Sequence, residues 1–371
     1  MKNITYVFSQ GRKNLFLNNE FQAREFFYGL TEFDIQDFNL NVLEFDDRPF
    51  KNVFIFKFLD KVMSKFLSLP FYTSKISSLK NLRILFHSDK IILINEGVGF
   101  SVLPMLIAIK LVKRVNVTLF VMGLYSKNLN YKSLRFAHNY FIKLLIYFID
   151  EVFFLGLPEM KKAELVHKSK LSKFQYQPFS IDIDFWSNNS SFDFISNENI
   201  IFVGNDGNRD YELLIKIAKE LNQFEFVFVT SNKLTQNLTL PNVKIINGEW
   251  GSLDVPDKKL KEIYLSSRLC ILPLKETSQP SGQSVSLQSM SLGIPVVISQ
   301  TKGFWDLQKF NDNENIFFLE INNLESWVSK IKQVYFDTNL LKKVSKNAKD
   351  TILKNYKLEN TYFAITNNLE N

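Results

Sequence analysis

The strongest constraint on the fold is a repeated alternation of short apolar, β-branched runs with longer amphipathic stretches. In the first half, the strand-like runs are residues 4–8, 38–45, 90–95, 115–122 and 152–155, and the helix-like stretches are 24–30, 103–112 and 134–149. Strands that alternate with helices in this way predict a parallel sheet covered by helices on both faces. The first half is therefore expected to be an α/β domain.

The same alternation starts again in the second half. Its strand-like runs are residues 199–203, 224–230, 243–246, 269–272 and 295–299, and its helix-like stretches are 211–221, 257–266, 284–292, 324–336 and 340–355. A chain of 371 residues is comfortable for two such domains. We predict an N-terminal domain at 1–175, a Ser/Asn-rich linker at 176–198, a C-terminal domain at 199–354 and a C-terminal helix at 355–371 that returns to the first domain.

Cysteine and histidine content argues against a metal centre. Because the chain has a single cysteine, Cys270, an internal disulfide and a thiolate cluster are both excluded. Cys270 lies in an apolar run and is expected to be a buried structural thiol. With three histidines and no close His/Cys spacing, a zinc site is not expected. His138 lies in an apolar helix and is interpreted as a core residue. One cysteine and an N-terminus without a secretory pattern favour a cytoplasmic protein.

The net charge of +7 favours polyanionic partners. Nucleotide phosphates and an anionic membrane face both fit, whereas nucleic acid does not, because the lysines are scattered and no known nucleic-acid module occurs. The apolar stretch 141–157 contains charged residues and is too interrupted to span a bilayer. The basic, aromatic-rich tract 57–83 is compatible with peripheral contact with the inner face of the cell membrane, or with a solvated helix.

Two loops at strand ends have the features of a phosphate site. In LPLKETSQPSGQSVSLQSM, a strand is followed by Ser281 and Gly282, and a helix begins near Gln283. The free amides and the dipole of a helix N-terminus suit a diphosphate. In IIFVGNDGNRDYELL, a strand enters a loop that contains Gly204 and Asn205, and Arg209 stands just before the next helix. Arginine can pair with phosphate oxygens in a bidentate manner.

Simpler roles are open for both loops. Ser281 and Gly282 could merely cap their helix, and Arg209 could pair with a neighbouring acid at the surface. Neither loop carries G-x-G-x-x-G, so a nicotinamide enzyme is not expected. Two phosphate-compatible loops at one edge of one sheet are nevertheless more informative than either loop alone.

Three segments give the second half a resemblance to a known family. VGNDGNRDYELLIK, SGQSVSLQSMSLGIPVV and the earlier FSIDIDFW resemble, in order and spacing, segments of the retaining glycosyltransferases of group 1. The resemblance covers roughly residues 175–360 and is weak before them. It implies the GT-B fold, with two Rossmann-like domains facing each other across a cleft. It also implies transfer of a sugar from a nucleotide diphosphate sugar to a glycan or lipid-linked acceptor, with retention of anomeric configuration.

The resemblance assigns roles to individual residues. Arg209 would neutralise the leaving diphosphate, with Lys275 as a second cation, and no metal would then be required. Gln288 stands where the family has the second glutamate of a pair, which contacts the ribose. Pro280 stands at the first glutamate, so Glu276 and Gln279 become the candidates for contacting the donor sugar. The residues expected to bind the donor through their loops or backbone amides are Gly204, Asn205, Ser281, Gly282, Gln283, Ser284 and Val285.

The acceptor is expected to bind the first domain, where Arg24, Glu25 and Glu96 are the candidate polar contacts. The missing glutamate pair leaves two alternatives open. The chain could be a GT-B protein that binds nucleotide sugars without transferring them, or a GT-B sugar-nucleotide epimerase, and fold alone does not choose between these.

Overall fold

The computed structural model describes residues 1–46, 54–126, 131–169, 171–188, 197–248, 255–320 and 322–367. The chain forms two compact units. The first contains residues Met1–Phe21, Phe27–Pro178 and Thr361–Asn371, and the second contains Gln22–Phe26 and Phe179–Asn360. The short segment 22–26 therefore packs with the second unit, although the residues on either side of it belong to the first.

The first unit is built on a six-stranded parallel sheet with the order β2-β1-β3-β4-β5-β6. Its strands are β1 (Lys2–Phe8), β2 (Phe38–Glu44), β3 (Lys90–Ile94), β4 (Asn116–Val121), β5 (Glu151–Phe154) and β6 (Phe174–Tyr176). β3, β4 and β5 are almost wholly buried, which explains why they are continuous apolar runs and show no alternation.

The helices that accompany this sheet in the described part of the chain include α1 (Lys13–Leu17), α2 (Phe54–Leu67), α3 (Leu79–His87), α4 (Glu96–Lys110), α5 (Arg135–Phe148) and α6 (Leu157–Val166). α4 is the most deeply buried, and its residues join those of β3, β4 and α5 in one apolar core. The expectation that His138 is a core residue fits its placement, since its imidazole is buried and its Nδ1 lies 2.6 Å from the carbonyl oxygen of Leu67.

The helix that the sequence predicts over 24–30 does not form. The segment has only a 3-10 turn at Glu25–Phe27, and the chain then turns through Tyr28 and Gly29 with φ of 51° and 80°. Two successive residues in the left-handed region end any right-handed helix. A further 3-10 turn follows at Leu30–Glu32.

The second unit is built on another six-stranded parallel sheet, with the order β12-β11-β10-β7-β8-β9. Its strands are β7 (Asn199–Val203), β8 (Phe226–Val229), β9 (Val243–Ile246), β10 (Ser267–Leu272), β11 (Val296–Ser299) and β12 (Phe317–Leu319). The remaining helices are α7 (Tyr211–Glu220), α8 (Lys233–Gln236), α9 (Asp257–Leu265), α10 (Gln283–Ser291), α11 (Leu324–Phe336), α12 (Thr338–Asn355) and α13 (Leu358–Thr366).

Both sheets have a doubly wound strand order, which fits the Rossmann-like domains that the sequence motifs imply. In the second sheet the chain leaves β7 toward β8 and β9 on one side, and then returns to β10, β11 and β12 on the other. The order reverses between β7 and β10. In open α/β sheets, ligands bind at the carboxyl ends of the strands at such a point.

Candidate functional site

The loops that leave β7 and β10 are joined to each other by hydrogen bonds. The amide of Asp210 donates to the carbonyl of Pro273 at 2.9 Å, and the amide of Lys275 donates to the carbonyl of Asn208 at 2.8 Å. The side-chain amide of Asn208 donates to the hydroxyl of Ser281 at 2.8 Å. The structure thus brings together the two loops that the sequence predicted to act jointly. Asn208, which the sequence did not single out, provides a side-chain link.

Arg209 lies in the loop that leaves β7, and its side chain is buried, with only 3% exposed. Its Nη1 is 3.1 Å from a carboxylate oxygen of Asp206, but neither Nη1 nor Nε makes a hydrogen bond. Buried guanidinium donors ordinarily have partners, because leaving them unsatisfied is costly. Arg209 therefore retains donor capacity for an anionic group.

Gly204 is required by the position of Arg209. Its φ is 156°, and a Cβ at this position would lie 2.5 Å from Nε of Arg209. Any side chain here would displace the guanidinium. The glycine that follows β7 therefore leaves room for the side chain of Arg209.

Asn205, which is predicted to contact the donor, has side-chain partners within the protein. Its side-chain oxygen accepts hydrogen bonds from the amide of Ser231 at 2.6 Å and the hydroxyl of Thr230 at 3.0 Å. Its side-chain nitrogen donates to the carbonyl of Gly248. Asn205 therefore joins the ends of β7, β8 and β9, and its side chain is occupied by the protein.

The N-terminus of α10 lies on the same strand edge, directly after the β10 loop. Gly282 caps it with a φ of 78°, and the first intrahelical hydrogen bond runs from the amide of Ser286 to the carbonyl of Gly282 at 2.9 Å. The amides of Gln283, Ser284 and Val285 precede that bond, so they have no intrahelical acceptor. Such a helix end attracts anions through its amides and its dipole.

Lys275 and Glu276 are exposed, unlike Arg209. One carboxylate oxygen of Glu276 accepts the amide of Lys302 at 3.1 Å, which ties the β10 loop to the loop after β11. Pro280, at the position of the family's first glutamate, is half-buried. Lys275 therefore faces solvent, whereas Glu276 has a partner in the loop after β11.

Glu25 and Gln288 are in direct contact, although the sequence placed them in different domains. Glu25 belongs to the segment 22–26 of the second unit. Its Oε1 accepts hydrogen bonds from Nε2 of Gln288 at 2.8 Å and from Nε1 of Trp186 at 2.7 Å. Gln288, predicted to contact a ribose, therefore directs its amide group at a protein carboxyl.

The environment of Glu25 favours its neutral form. Burial raises the pKa of this carboxyl to about 7, against the opposing effect of the hydrogen bond from Gln288, and the charge of Asp257 raises it further. Its Oε2 is buried and makes no hydrogen bond. A carboxyl of this kind is a group whose charge changes near neutral pH.

Arg24 anchors the same segment. Its Nε and Nη2 donate to the two carboxylate oxygens of Asp182 at 2.7 and 2.9 Å, a bidentate pair. Asp182 and Trp186 both come from FSIDIDFW, so this sequence segment receives Arg24 and Glu25 within the second unit. The expected location of these two residues in the first domain is corrected accordingly.

Glu96, the third predicted acceptor contact, lies buried in the first unit at the start of α4. Its Oε2 accepts the amide of Met122 at 3.1 Å, and Glu159 accepts the amide of Tyr125 at 3.0 Å. Burial raises the pKa of Glu159 to about 8, with a further contribution from the charge of Glu96. The two carboxyls hold the loop that follows β4.

Two negative findings concern the described ranges only. Among those residues, no group of three or more His, Cys, Asp or Glu side chains is arranged to hold a metal ion. Within the same part of the chain, no helix has the length and apolarity needed to cross a membrane.

Cys270 is fully buried, and burial raises the pKa of its thiol to about 12.

The two doubly wound sheets and their helices define a protein of the GT-B fold class, and solved structures of that class match along the whole chain. HepE of Anabaena, solved with UDP and glucose, is 11% identical, with 100% of both chains covered and a TM-score of 0.68. A sucrose-phosphate synthase from Thermosynechococcus elongatus is 12% identical, with 100% of this chain and 98% of that one covered and a TM-score of 0.67. A glycosyltransferase from Rickettsia africae is 13% identical, with coverage of 100% and 97% and a TM-score of 0.65.

Residues 197–337 match the family model described as glycosyl transferases group 1. This range holds both loops of the strand edge and the whole of α10. The resemblance that the sequence motifs indicated is thereby confirmed for the second unit. A comparison with curated protein sequences gives no significant match.

Proposed function

We propose that the chain is a glycosyltransferase that moves a sugar from a nucleotide diphosphate sugar to a glycan or lipid-linked acceptor. The observation that carries this proposal is Arg209, a buried guanidinium with two nitrogens free of hydrogen bonds. It lies in a loop that Asn208 links to Ser281, and Ser281 directly precedes the N-terminus of α10, whose first amides have no intrahelical acceptor. The site therefore offers a diphosphate both a guanidinium fork and a helix N-terminus.

The chemistry follows from where charge develops. As the glycosidic bond of the donor breaks, its electron pair moves to the departing diphosphate, and the sugar becomes cationic. Hydrogen-bond donors that are held in place to fit the more negative leaving group stabilise the transition state more than they stabilise the intact sugar nucleotide. Loss of one such contact typically costs about 3 kcal/mol, or about a hundredfold in rate.

We further propose that transfer retains the anomeric configuration and needs no metal cofactor. Retention rests on the likeness to group 1 glycosyl transferases over residues 197–337. The positive potential of Arg209, Lys275 and the α10 terminus supplies the role that a cation would have toward the diphosphate. Solved relatives of the same fold hold UDP, which supports a nucleoside diphosphate as the leaving group.

One observation favours a second candidate, a nucleotide-sugar-binding protein without transfer activity. The amide of Gln288 is directed at Glu25, and the side chain of Pro280 has no polar group that could hydrogen-bond to a donor sugar. Both positions depart from the glutamate pair of the family that the sequence resembles. Binding without turnover would then be the outcome.

A donor panel separates the two candidates. The chain is incubated with UDP-, GDP- and ADP-sugars, first for protection against thermal unfolding and then for release of nucleoside diphosphate and formation of product. A transferase gives both protection and a product, whose anomeric configuration NMR shows to equal that of the donor. Protection without turnover supports the binding protein, and a donor converted without acceptor supports an epimerase. No protection by any donor contradicts the proposal.

A further inference from the structure

A stripe of apolar side chains on α2 faces solvent. Ile55, Phe58, Leu59 and Phe66 are 72%, 61%, 45% and 40% exposed. Their spacing of three, four and eleven positions from the first places them on one face of the helix. The inward face is distinct, because Met63 and Leu67 join the core of the first unit.

Helix α5 presents a second exposed stripe. Phe136, Tyr140 and Tyr147 are 85%, 55% and 63% exposed, and their spacing of four and eleven positions again defines one face. Ile142 and Leu145, on the opposite side, lie in the same core as Met63 and Leu67.

The two helices pack against each other in the first unit. The ring of Phe66 stacks on the ring of Tyr131, just before α5, with 5.6 Å between centroids. Nδ1 of His138 in α5 lies 2.6 Å from the carbonyl oxygen of Leu67 at the end of α2. The two stripes therefore belong to adjacent helices, and we call them together the aromatic face.

The charge on these helices is basic. α2 contributes three exposed lysines, which are spaced four residues apart and so lie one turn from each other. α5 contributes Arg135 and Lys143, which are also exposed. The only acid within the two helices is Asp60, whose carboxylate accepts the amides of Thr73 and Ser74 at 2.9 Å each. The lysines of α2 are Lys57, Lys61 and Lys65.

We propose that the aromatic face docks the protein on an anionic lipid bilayer. Exposed Phe and aliphatic side chains flanked by lysines are the pattern of a helix that lies in a membrane interface, and tyrosines suit the headgroup level. The basic charge complements anionic headgroups. Asp60, the acid within these two helices, is engaged by the amides of Thr73 and Ser74, so the exposed charges of both helices are positive.

Partition onto vesicles tests the proposal with the full chain. The wild type is expected to bind vesicles of phosphatidylcholine with 30% phosphatidylglycerol, and to bind pure phosphatidylcholine vesicles at least about tenfold more weakly. The triple variant Lys57→Gln, Lys61→Gln, Lys65→Gln should lose about tenfold or more in partition onto the anionic vesicles. The same change on α12, Lys342→Gln, Lys346→Gln, Lys354→Gln, removes three exposed lysines elsewhere and should leave partition within about twofold.

Site-specific labelling shows which surface enters the lipid. Cys270 is fully buried, so a thiol dye labels only an introduced cysteine. Phe58→Cys carrying an environment-sensitive dye should brighten and shift to the blue with anionic vesicles. Leu353→Cys on α12, where the native side chain is 45% exposed, should not.

Four outcomes would overturn the proposal. The first is that the wild type does not bind anionic vesicles, and the second is that the α12 triple variant loses as much partition as the α2 triple variant. The third is that the dye gives the same signal at Phe58→Cys and Leu353→Cys. The fourth is that a Phe58→Ser, Phe136→Ser variant binds the vesicles as the wild type does. If that last variant instead converts a dimer to a monomer without lipid, the face joins two copies of this chain. The test contains no nucleotide, so its result is independent of the proposed transfer activity.

Discussion

Glu25 is a single side chain whose protonation is linked to the stability of the second unit. Burial raises its pKa to about 7 from an ordinary value of 4.5. The folded state therefore holds the proton more tightly than the unfolded state does. Its stabilising contribution is complete below pH 4.5 and is lost as the pH rises through 7.

Replacing Glu25 with Gln should remove this pH dependence. The amide keeps an acceptor for Trp186 and Gln288 but does not titrate. Relative to the wild type, the variant should gain about 3 kcal/mol in free energy of unfolding between pH 5 and pH 8. Urea unfolding followed by tryptophan fluorescence measures this change in the free energy of unfolding. The signal reports on the second unit, because all four tryptophans lie at 186–327.

An exposed carboxyl supplies the control for that experiment. Glu276→Gln also removes one acid from the second unit, but at the surface. Its stability should follow the wild-type pH profile. Parallel profiles for the wild type and Glu25→Gln would show that the carboxyl is already charged at pH 5.

Individual site residues differ in how far the sequence could predict them. Arg209 and Gly282 could be singled out because each stands in a loop between a strand and a helix, where local chemistry is informative, and their contacts with a donor stay predictions. The contact between Glu25 and Gln288 was not, since the two residues are 263 positions apart and no periodicity links them. The side-chain hydrogen bonds of Asn205 could not be predicted, because the partners come from the ends of two other strands.

At the scale of elements, the N-terminus of α10 depends on its glycine. Gly282 has a φ of 78°, and a Cβ there would lie 3.2 Å from Cδ1 of Ile298. Gly282→Ala should therefore lower the free energy of unfolding by about 1–3 kcal/mol, through backbone strain and crowding. It should also weaken nucleoside diphosphate binding, because the α10 amides shift.

Gly207 offers a matched control in the loop after β7. A Cβ at this position would meet no atom within 4 Å, and its φ is not in the left-handed range. Gly207→Ala should leave both thermal unfolding and nucleotide titration near wild type. Equal behaviour of the two alanine variants would contradict the structural role of Gly282.

Regular elements were predicted well wherever an apolar run had a clear length. β7, β9 and α11 have the predicted bounds, and most other predicted elements differ by a few residues, but α4 begins seven residues before the helix predicted at 103–112. β6 and β12 were missed because strands of three residues carry no readable periodicity. The 24–30 helix failed because the left-handed turn at Tyr28 and Gly29 interrupts an apolar pattern that suits a helix.

At the scale of the molecule, the C-terminal residues complete the first unit. Residues 361–367 pack with it, and Ile365 is fully buried. The carbonyl of Ile365 accepts Nζ of Lys90 at 2.7 Å, and Glu151 accepts the same nitrogen at 2.8 Å. Lys90 is itself fully buried, so both partners are needed.

A chain ending at Asn360 should therefore have a less stable first unit. It loses a hydrogen bond to a buried ammonium group and the burial of Ile365, together at least about 3 kcal/mol. Circular dichroism melting of the shortened chain would measure this loss of stability. Faster limited proteolysis at sites within residues 1–178 would show that the loss lies in the first unit. Melting of the shortened chain at the wild-type temperature would contradict this role.

The two-domain class could be predicted from the sequence because each half repeats the strand–helix alternation by itself. The membership of residues 22–26 could not, since a five-residue segment that packs with the other unit leaves no mark in local patterning. Long-range contacts such as Arg24 with Asp182 decide it. These contacts are set by tertiary packing, which propensity does not encode.

Calorimetric titration of UDP, GDP and ADP into the wild type, Arg209→Gln and Lys219→Gln tests the central claim most directly. Lys219 is an exposed cation on α7, so its variant is a control for net charge. The account predicts that one nucleoside diphosphate binds the wild type and the Lys219 variant alike, and that Arg209→Gln weakens it by about 10- to 100-fold. Equal affinity of the Arg209 variant and the wild type, or no binding to any of the three proteins, would contradict it.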